Sequence, residues 1–187
     1  MSFGNILLSI IVAIGAYLVV IYNKFVSLRA GMDASWSDID VQLKRRYDLI
    51  PALVDTVKGY KDYEAKTLEK VIQARQQGLS AGTMDEKAAA ANIMSGALGK
   101  LFALAEAYPD LKANTNFLKL QDELSNLENA IQNARRYYNA IVRDYNAKVE
   151  SFPDLFVAQK FNFTARDYFE LDESEAEAAK KMPKIDF

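Results

Sequence analysis

The sequence predicts an all-α fold: a single N-terminal transmembrane helix followed by an elongated antiparallel bundle of about four long helices. Three observations lead there. The first 23 residues hold no charged side chain. Beyond them, apolar residues recur at intervals of three and four, the period of one helix face. Gly and Pro number only 8 and 4 in 187 residues, so the chain has few points at which a helix must break. The expected division is an anchor over 1–23 and a helical body over 24–187. No Pro/Gly/Ser-rich linker, low-complexity run or internal repeat divides that body.

The anchor is the stretch Phe3 to Tyr22, interrupted only by Gly4, Asn5, Ser9 and Gly15. Twenty residues of helix are about 30 Å long, the thickness of a bilayer's hydrocarbon core. Phe3, Ile6, Leu7, Ile10, Ile14, Leu18 and Ile21 are the lipid-facing candidates. A cleaved signal peptide would carry a positive region before the apolar run, and none is present. Lys24 and Arg29 follow the span, so the positive-inside rule favours a cytoplasmic body. Tyr17, Tyr22 and Phe25 sit where an interfacial aromatic belt would, and Ser9, Ala13 and Ala16 form a small-residue stripe that would let two such helices approach closely.

In the body, Leu28, Met32, Trp36, Ile39, Leu43 and Tyr47 form the stripe of a first helix, which can continue from the span despite Gly31. Pro51 lacks a backbone donor, so a break or kink is expected near Tyr47 to Ile50, with Asp48 capping a second helix that runs to Gly78. Gly78 to Gly82 reads as a loop. Thr83 and Glu86 form a capping box opening a third helix, which continues to about Tyr108 and stops at Pro109. The fourth helix has the clearest period: Phe117, Leu120, Leu124, Leu127, Ile131, Ala134, Tyr138, Ile141 and Tyr145. Such a stripe specifies a helix on the order of 50 Å long, packed at the shallow angle of bundles and coiled coils. Phe152 and Pro153 end it. The rest is rich in aromatics, with Phe156, Phe161, Phe163, Tyr168 and Phe169, and then a short capped helix from Ser174. Those rings either close one end of the bundle or form a docking surface for a partner.

Composition excludes several chemistries. With no Cys and no His there is no thiol nucleophile, no Ser/His/Asp triad, no Cys/His zinc site and no disulfide. A net charge of -2 gives no broad footprint for nucleic acid. No Gly-rich turn precedes a Lys-Ser or Lys-Thr pair, so nucleotide binding has no support. A di-metal carboxylate bundle needs Glu-x-x-His pairs that this chain lacks. Asp33, Asp38, Asp40, Glu64, Glu69, Asp122, Glu123 and Glu128 fall largely between the apolar stripes and read as solvent-facing charges. Lys44, Arg45 and Arg46 are the one basic run that could meet an anionic partner. On a straight helix, however, Lys44 lies roughly 30 Å beyond Lys24, several Debye lengths from the headgroups, which favours a solvated helix face.

Several stretches resemble the LemA family of bacterial membrane-anchored helical proteins. They are Trp36 to Tyr60 (WSDIDVQLKRRYDLIPALVDTVKGY), Tyr108 to Leu124 (YPDLKANTNFLKLQDEL), Asn133 to Val149 (NARRYYNAIVRDYNAKV) and Tyr168 to Leu171 (YFEL). The resemblance implies an N-terminal transmembrane helix, a bundle of long helices and no established enzymatic activity; related proteins are associated with bacterial envelopes and magnetosome membranes. The family often has a Gly ahead of the aromatic at Phe163, where this chain has Lys160, Phe161 and Asn162, so the local turn is open to a different geometry.

The function expected is that of a non-enzymatic scaffold, single-pass in the bacterial cell membrane, assembling with itself or with envelope proteins. The alternative is an accessory factor binding a membrane protease or envelope-stress partner. Expected partners are the bilayer, further copies in a homo-oligomer and an envelope membrane protein, with no nucleic acid and no cofactor. The interaction candidates are Lys44, Arg45, Arg46, Phe156, Phe161, Phe163, Tyr168 and Phe169. A carboxylate-based enzyme or metal protein is the weakest reading.

Overall fold

The structure is a computed structural model describing residues 3–59 and 65–169. Its helices are α1 (Phe3–Lys58), α2 (Ala65–Ser80), α3 (Met84–Ala105), α4 (Pro109–Lys112), α5 (Thr115–Glu150) and α6 (Asp154–Lys160), with no strand among the described residues. The expected helix from Ser174 lies outside them. Two compact units form, one from residues up to 38 with 134–168, the other from 39–133 with Phe169. Helices α1 and α5 contribute to both.

In the first unit, α1 and α5 run antiparallel. Trp36 meets Tyr138, Gly31 faces Ile141 and Phe25 meets Tyr145, so the α1 number falls as the α5 number rises. Val142 and Tyr145 are buried there with Phe25 and Met32. After α5 the chain turns through Ser151 to Pro153 into α6, a helix the sequence reading did not resolve from the aromatic-rich remainder. The segment after α6 returns along α5: the Asn146 amide donates to the Arg166 carbonyl at 2.9 Å and accepts from the Arg166 N–H at 2.9 Å.

Helix α6 closes with the Phe163 N–H donating to the Ala158 carbonyl at 2.9 Å, while Asn162 sits at φ 56°. That is the left-handed C-terminal cap usually given to Gly, and Asn is among the side chains that tolerate it best. Replacing Asn162 by Val should cost about 1–2 kcal/mol and Asn162→Gly should cost nothing or stabilise slightly, read as urea midpoints of the full chain in detergent.

The second unit is a four-helix bundle of α1, α2, α3 and α5, as the periodicity predicts. Asp40 pairs with Lys87 and Arg46 with Ser95, so α1 and α3 run in the same direction. Ser95 meets Glu128 and Phe102 meets Phe117, so α5 runs opposite to α3. Helix α2 joins α3 through a short turn as a hairpin. Its loop ends in the expected capping box: the Glu86 N–H donates to the Thr83 hydroxyl at 3.2 Å, and the Glu86 carboxylate accepts from the Gly82 and Thr83 N–H groups. Those backbone donors, Thr83 first and Gly82 next, hold the Glu86 carboxyl below its ordinary range. As pH falls through that lowered value the carboxyl protonates, so the box contributes at neutral pH and weakens in acid.

Two boundaries correct the sequence reading. Helix α1 does not break near Tyr47 to Ile50; it passes through Pro51 to Lys58, with Asp48 in its interior instead of at a cap. A proline in a helix leaves the carbonyl four residues earlier without its donor. Here that carbonyl belongs to Tyr47, and the Arg75 Nε of α2 donates to it at 2.9 Å. Likewise α2 does not end at Gly78 but continues to Ser80. Gly78 is buried against the Tyr47 ring, at a contact no side chain could share.

Candidate functional site

The N-terminal part of α1 is exposed without interruption from Phe3 to Val20, including Phe3, Ile6, Leu7, Ile10, Ile14 and Leu18. Ile21 differs from the other expected anchor residues in being covered by protein. The polar interruption is satisfied within the helix, since the Ser9 hydroxyl donates to the Asn5 carbonyl at 2.9 Å. This segment is long and apolar enough to cross a membrane, and only 6% of its most apolar window is buried. Helix α3 is also long and apolar enough to cross a membrane, but its most apolar stretch is 44% buried inside the protein. Its Ala91, Met94, Leu98 and Leu101 are buried in the core of the second unit.

Where α1 leaves its apolar stretch, the expected aromatics gather. The Tyr22 ring lies 4.8 Å from Phe161 and 5.7 Å from Phe163, and Phe163 stacks on Phe25 at 4.8 Å. Phe163 and Phe169 are buried, whereas Phe156, Phe161 and Tyr168 are exposed, so the predicted group of rings splits into core and surface members. Burial raises the Tyr145 and Tyr138 phenols above their ordinary range, a shift moderated at both by the positive charge of Arg166. The Tyr138 hydroxyl donates to the Asp167 carbonyl at 3.3 Å.

The basic run divides as well. Lys44 and Arg45 are exposed, but Arg46 is 0% exposed and does not belong to a solvated face. Its Nη1 donates to the Glu128 carboxylate at 2.6 Å and to the Ser95 hydroxyl at 3.0 Å, and its Nη2 donates to the Ala91 carbonyl at 3.1 Å. Its Nε has no partner. One guanidinium thus ties α1 to α3 and α5, and Glu128 is a structural counter-charge instead of a free surface carboxylate. Spacing carried the signal: Arg46 lies seven residues after Ile39 and three after Leu43, on the stripe, and Glu128 lies four after Leu124.

Ser95 and Glu128 also line a cleft of about 600 Å³ in the second unit, with Leu98, Phe102, Leu124 and Gln132. The polar atoms of that pair are engaged in holding Arg46, which makes the constellation a crosslink between helices and not a nucleophile with its base. Among the described residues no three Asp or Glu side chains come together to hold a metal ion.

Comparison with known proteins shows the family. The LemA family model matches residues 35–187. The chain is similar to Protein LemA of Metamycoplasma hominis, 34% identical over 137 residues, a match covering 71% of this chain and 61% of that protein. It is also similar to Magnetosome protein MamQ 2 of Paramagnetospirillum magneticum, 24% identical with 86% of this chain and 68% of that one covered. Magnetosome protein MamQ of Magnetospirillum gryphiswaldense is 22% identical, with 85% and 68% covered. The family match begins at residue 35, within α1 and beyond the apolar segment, and takes in every described helix from there onward, together with Arg46, Ser95 and Glu128; the chain belongs to the LemA family.

Proposed function

We propose that this protein is a non-enzymatic helical scaffold, fixed in a bacterial cell membrane by residues 3–22, which assembles with itself or with envelope proteins. The observation that carries the reading is the unbroken exposure of an uncharged apolar helix from Phe3 to Val20, a surface that water would penalise and hydrocarbon would accept. The magnetosome proteins among its relatives are consistent with a membrane setting. The polar constellation of the body is absorbed in holding helices together, which supports a role in contact over one in turnover. The side chains flanking the span, Lys24 and Arg29, favour a cytoplasmic body.

The full chain should remain in the membrane pellet through high-salt and alkaline washes, and a variant lacking residues 1–23 should move to the soluble fraction. Recovery of the full chain as a soluble protein would end the reading. Because the sequence has no Cys, a single Cys introduced on the body reports its compartment directly: blocking by an impermeant maleimide in intact cells would refute the cytoplasmic placement. Crosslinking in the membrane separates the assembly readings. Self-crosslinked ladders support the scaffold, and a single foreign band supports an accessory factor for a membrane protease or envelope-stress partner.

A further inference from the structure

We propose that the turn joining α5 to α6, together with the exposed side of α6 and the residue after it, is a second membrane contact, seated in the lipid interface beside the spanning helix through the rings of Phe152, Phe156 and Phe161. The inference rests on residues 3–22 spanning the bilayer and adds a site on a different part of the chain.

The register of the first unit carries it. Along the antiparallel pair, Trp36 meets Tyr138 and Phe25 meets Tyr145, and α5 continues to Glu150. Five further residues of α5 bring its end level with about Val20 of α1, two residues or about 3 Å inside the apolar stretch. The burial pattern agrees: α1 is bare through Val20, and Ile21 is the first residue covered by protein. The Tyr22 and Phe161 rings, 4.8 Å apart, fasten the segment after α6 to the same level. A bilayer enclosing residues 3–22 therefore meets this turn at its headgroup and upper acyl region.

The side chains on the turn suit that depth. Phe152 is 81% exposed, Phe156 61% and Phe161 54%, and Phe152 and Phe156 meet edge to face at 5.8 Å. Exposed Phe at a water-facing helix end would hold apolar area in solvent, whereas a few ångströms inside the interface the same rings are buried in acyl chains. The opposite side of α6 is committed to the protein, since Val157 and Ala158 are buried and Asp154 accepts from the Lys148 ammonium at 2.8 Å. The turn thus points its rings outward and keeps the Asp154 carboxylate inward, with the Lys148 ammonium partly exposed. Two points of attachment on one rigid unit would also limit the tilt of α1, which a lone span leaves free.

The chain's one Trp makes a direct test feasible. In a Trp36→Phe background, Trp is placed in the full-length chain at Phe152, at Phe156, at Val12 as the span control and at the exposed Tyr137 as the control far along α5. Each variant is reconstituted in phosphatidylcholine vesicles without label, with a lipid spin-labelled near the headgroup and with one labelled deep in the acyl chain, the deep label reading position 12 and the shallow one positions 152 and 156. We expect blue-shifted emission and at least twofold stronger lipid quenching at positions 152 and 156 than at 137. Strong quenching at 12 with none at 152 and 156 would overturn this inference and leave the span standing. No quenching at 12 would refute the span and this site with it. Blue-shifted emission at 152 and 156 that lipid does not quench would mean that another copy of the chain covers the rings, again overturning it.

Discussion

Removing the carboxylate of Glu128 should destabilise the protein by about 3 kcal/mol. Arg46 is fully buried, and its charge is compensated by that carboxylate at 2.6 Å, with the Ser95 hydroxyl and Ala91 carbonyl adding neutral bonds. In Glu128→Ala the guanidinium stays in the interior without its counter-charge. Losing one member of a buried pair costs about 3–5 kcal/mol. Glu128 itself is 29% exposed, so water can reach the vacated position, which places the expectation at the lower end. For a chain of this size, that corresponds to a fall in Tm on the order of 10 °C.

The double variant Arg46→Met, Glu128→Leu should recover most of that loss. No charge is then left uncompensated, and Ser95 keeps its own bond to the Ala91 carbonyl at 3.1 Å. Thermal melts in detergent of wild type, Glu128→Ala and the double variant supply the comparison. If Glu128→Ala melts within a degree or two of wild type, Arg46 is not held as described. By contrast, the exposed pair of Lys112 with Glu106 should contribute less than about 1 kcal/mol to the same measurement.

Much of this architecture is legible in the sequence because it follows from local periodicity. The stripe from Phe117 to Tyr145 became one helix from Thr115 to Glu150, and the Thr83 and Glu86 pair became the cap it spells. What escaped depends on residues far away in the chain. Pro51 breaks a helix by every local rule, and α1 survives it because Arg75, on another helix, supplies the missing donor to Tyr47. Lys44, Arg45 and Arg46 look alike as a run, and only the angular position of the third on the helix separates a core cation from two surface ones. Of the expected interaction residues, Phe156 and Phe161 share an exposed turn region, whereas Phe163 faces the core. That assignment follows from the cap at Asn162, which the sequence shows as an unremarkable polar residue.

Gly78→Ala should destabilise the second unit by about 1–2 kcal/mol, although the same change in an ordinary helix interior stabilises by about 1. A Cβ at position 78 would lie 2.7 Å from Cε1 of Tyr47 and closer still to Cζ and the hydroxyl, nearer than packed carbon atoms approach. Tyr47 cannot swing clear, because its ring is buried and its own carbonyl is held by Arg75. The strain must push α2 from α1 at the one place where α2 repairs the proline. Tyr47→Phe would not relieve it, since the ring carbons remain. Tyr47→Leu would, and in that background Gly78→Ala should change sign and become stabilising, because only the helix propensity gain is left. Urea unfolding of the four combinations reads the reversal directly. An unchanged sign would show that Gly78 serves some need other than clearance for the Tyr47 ring.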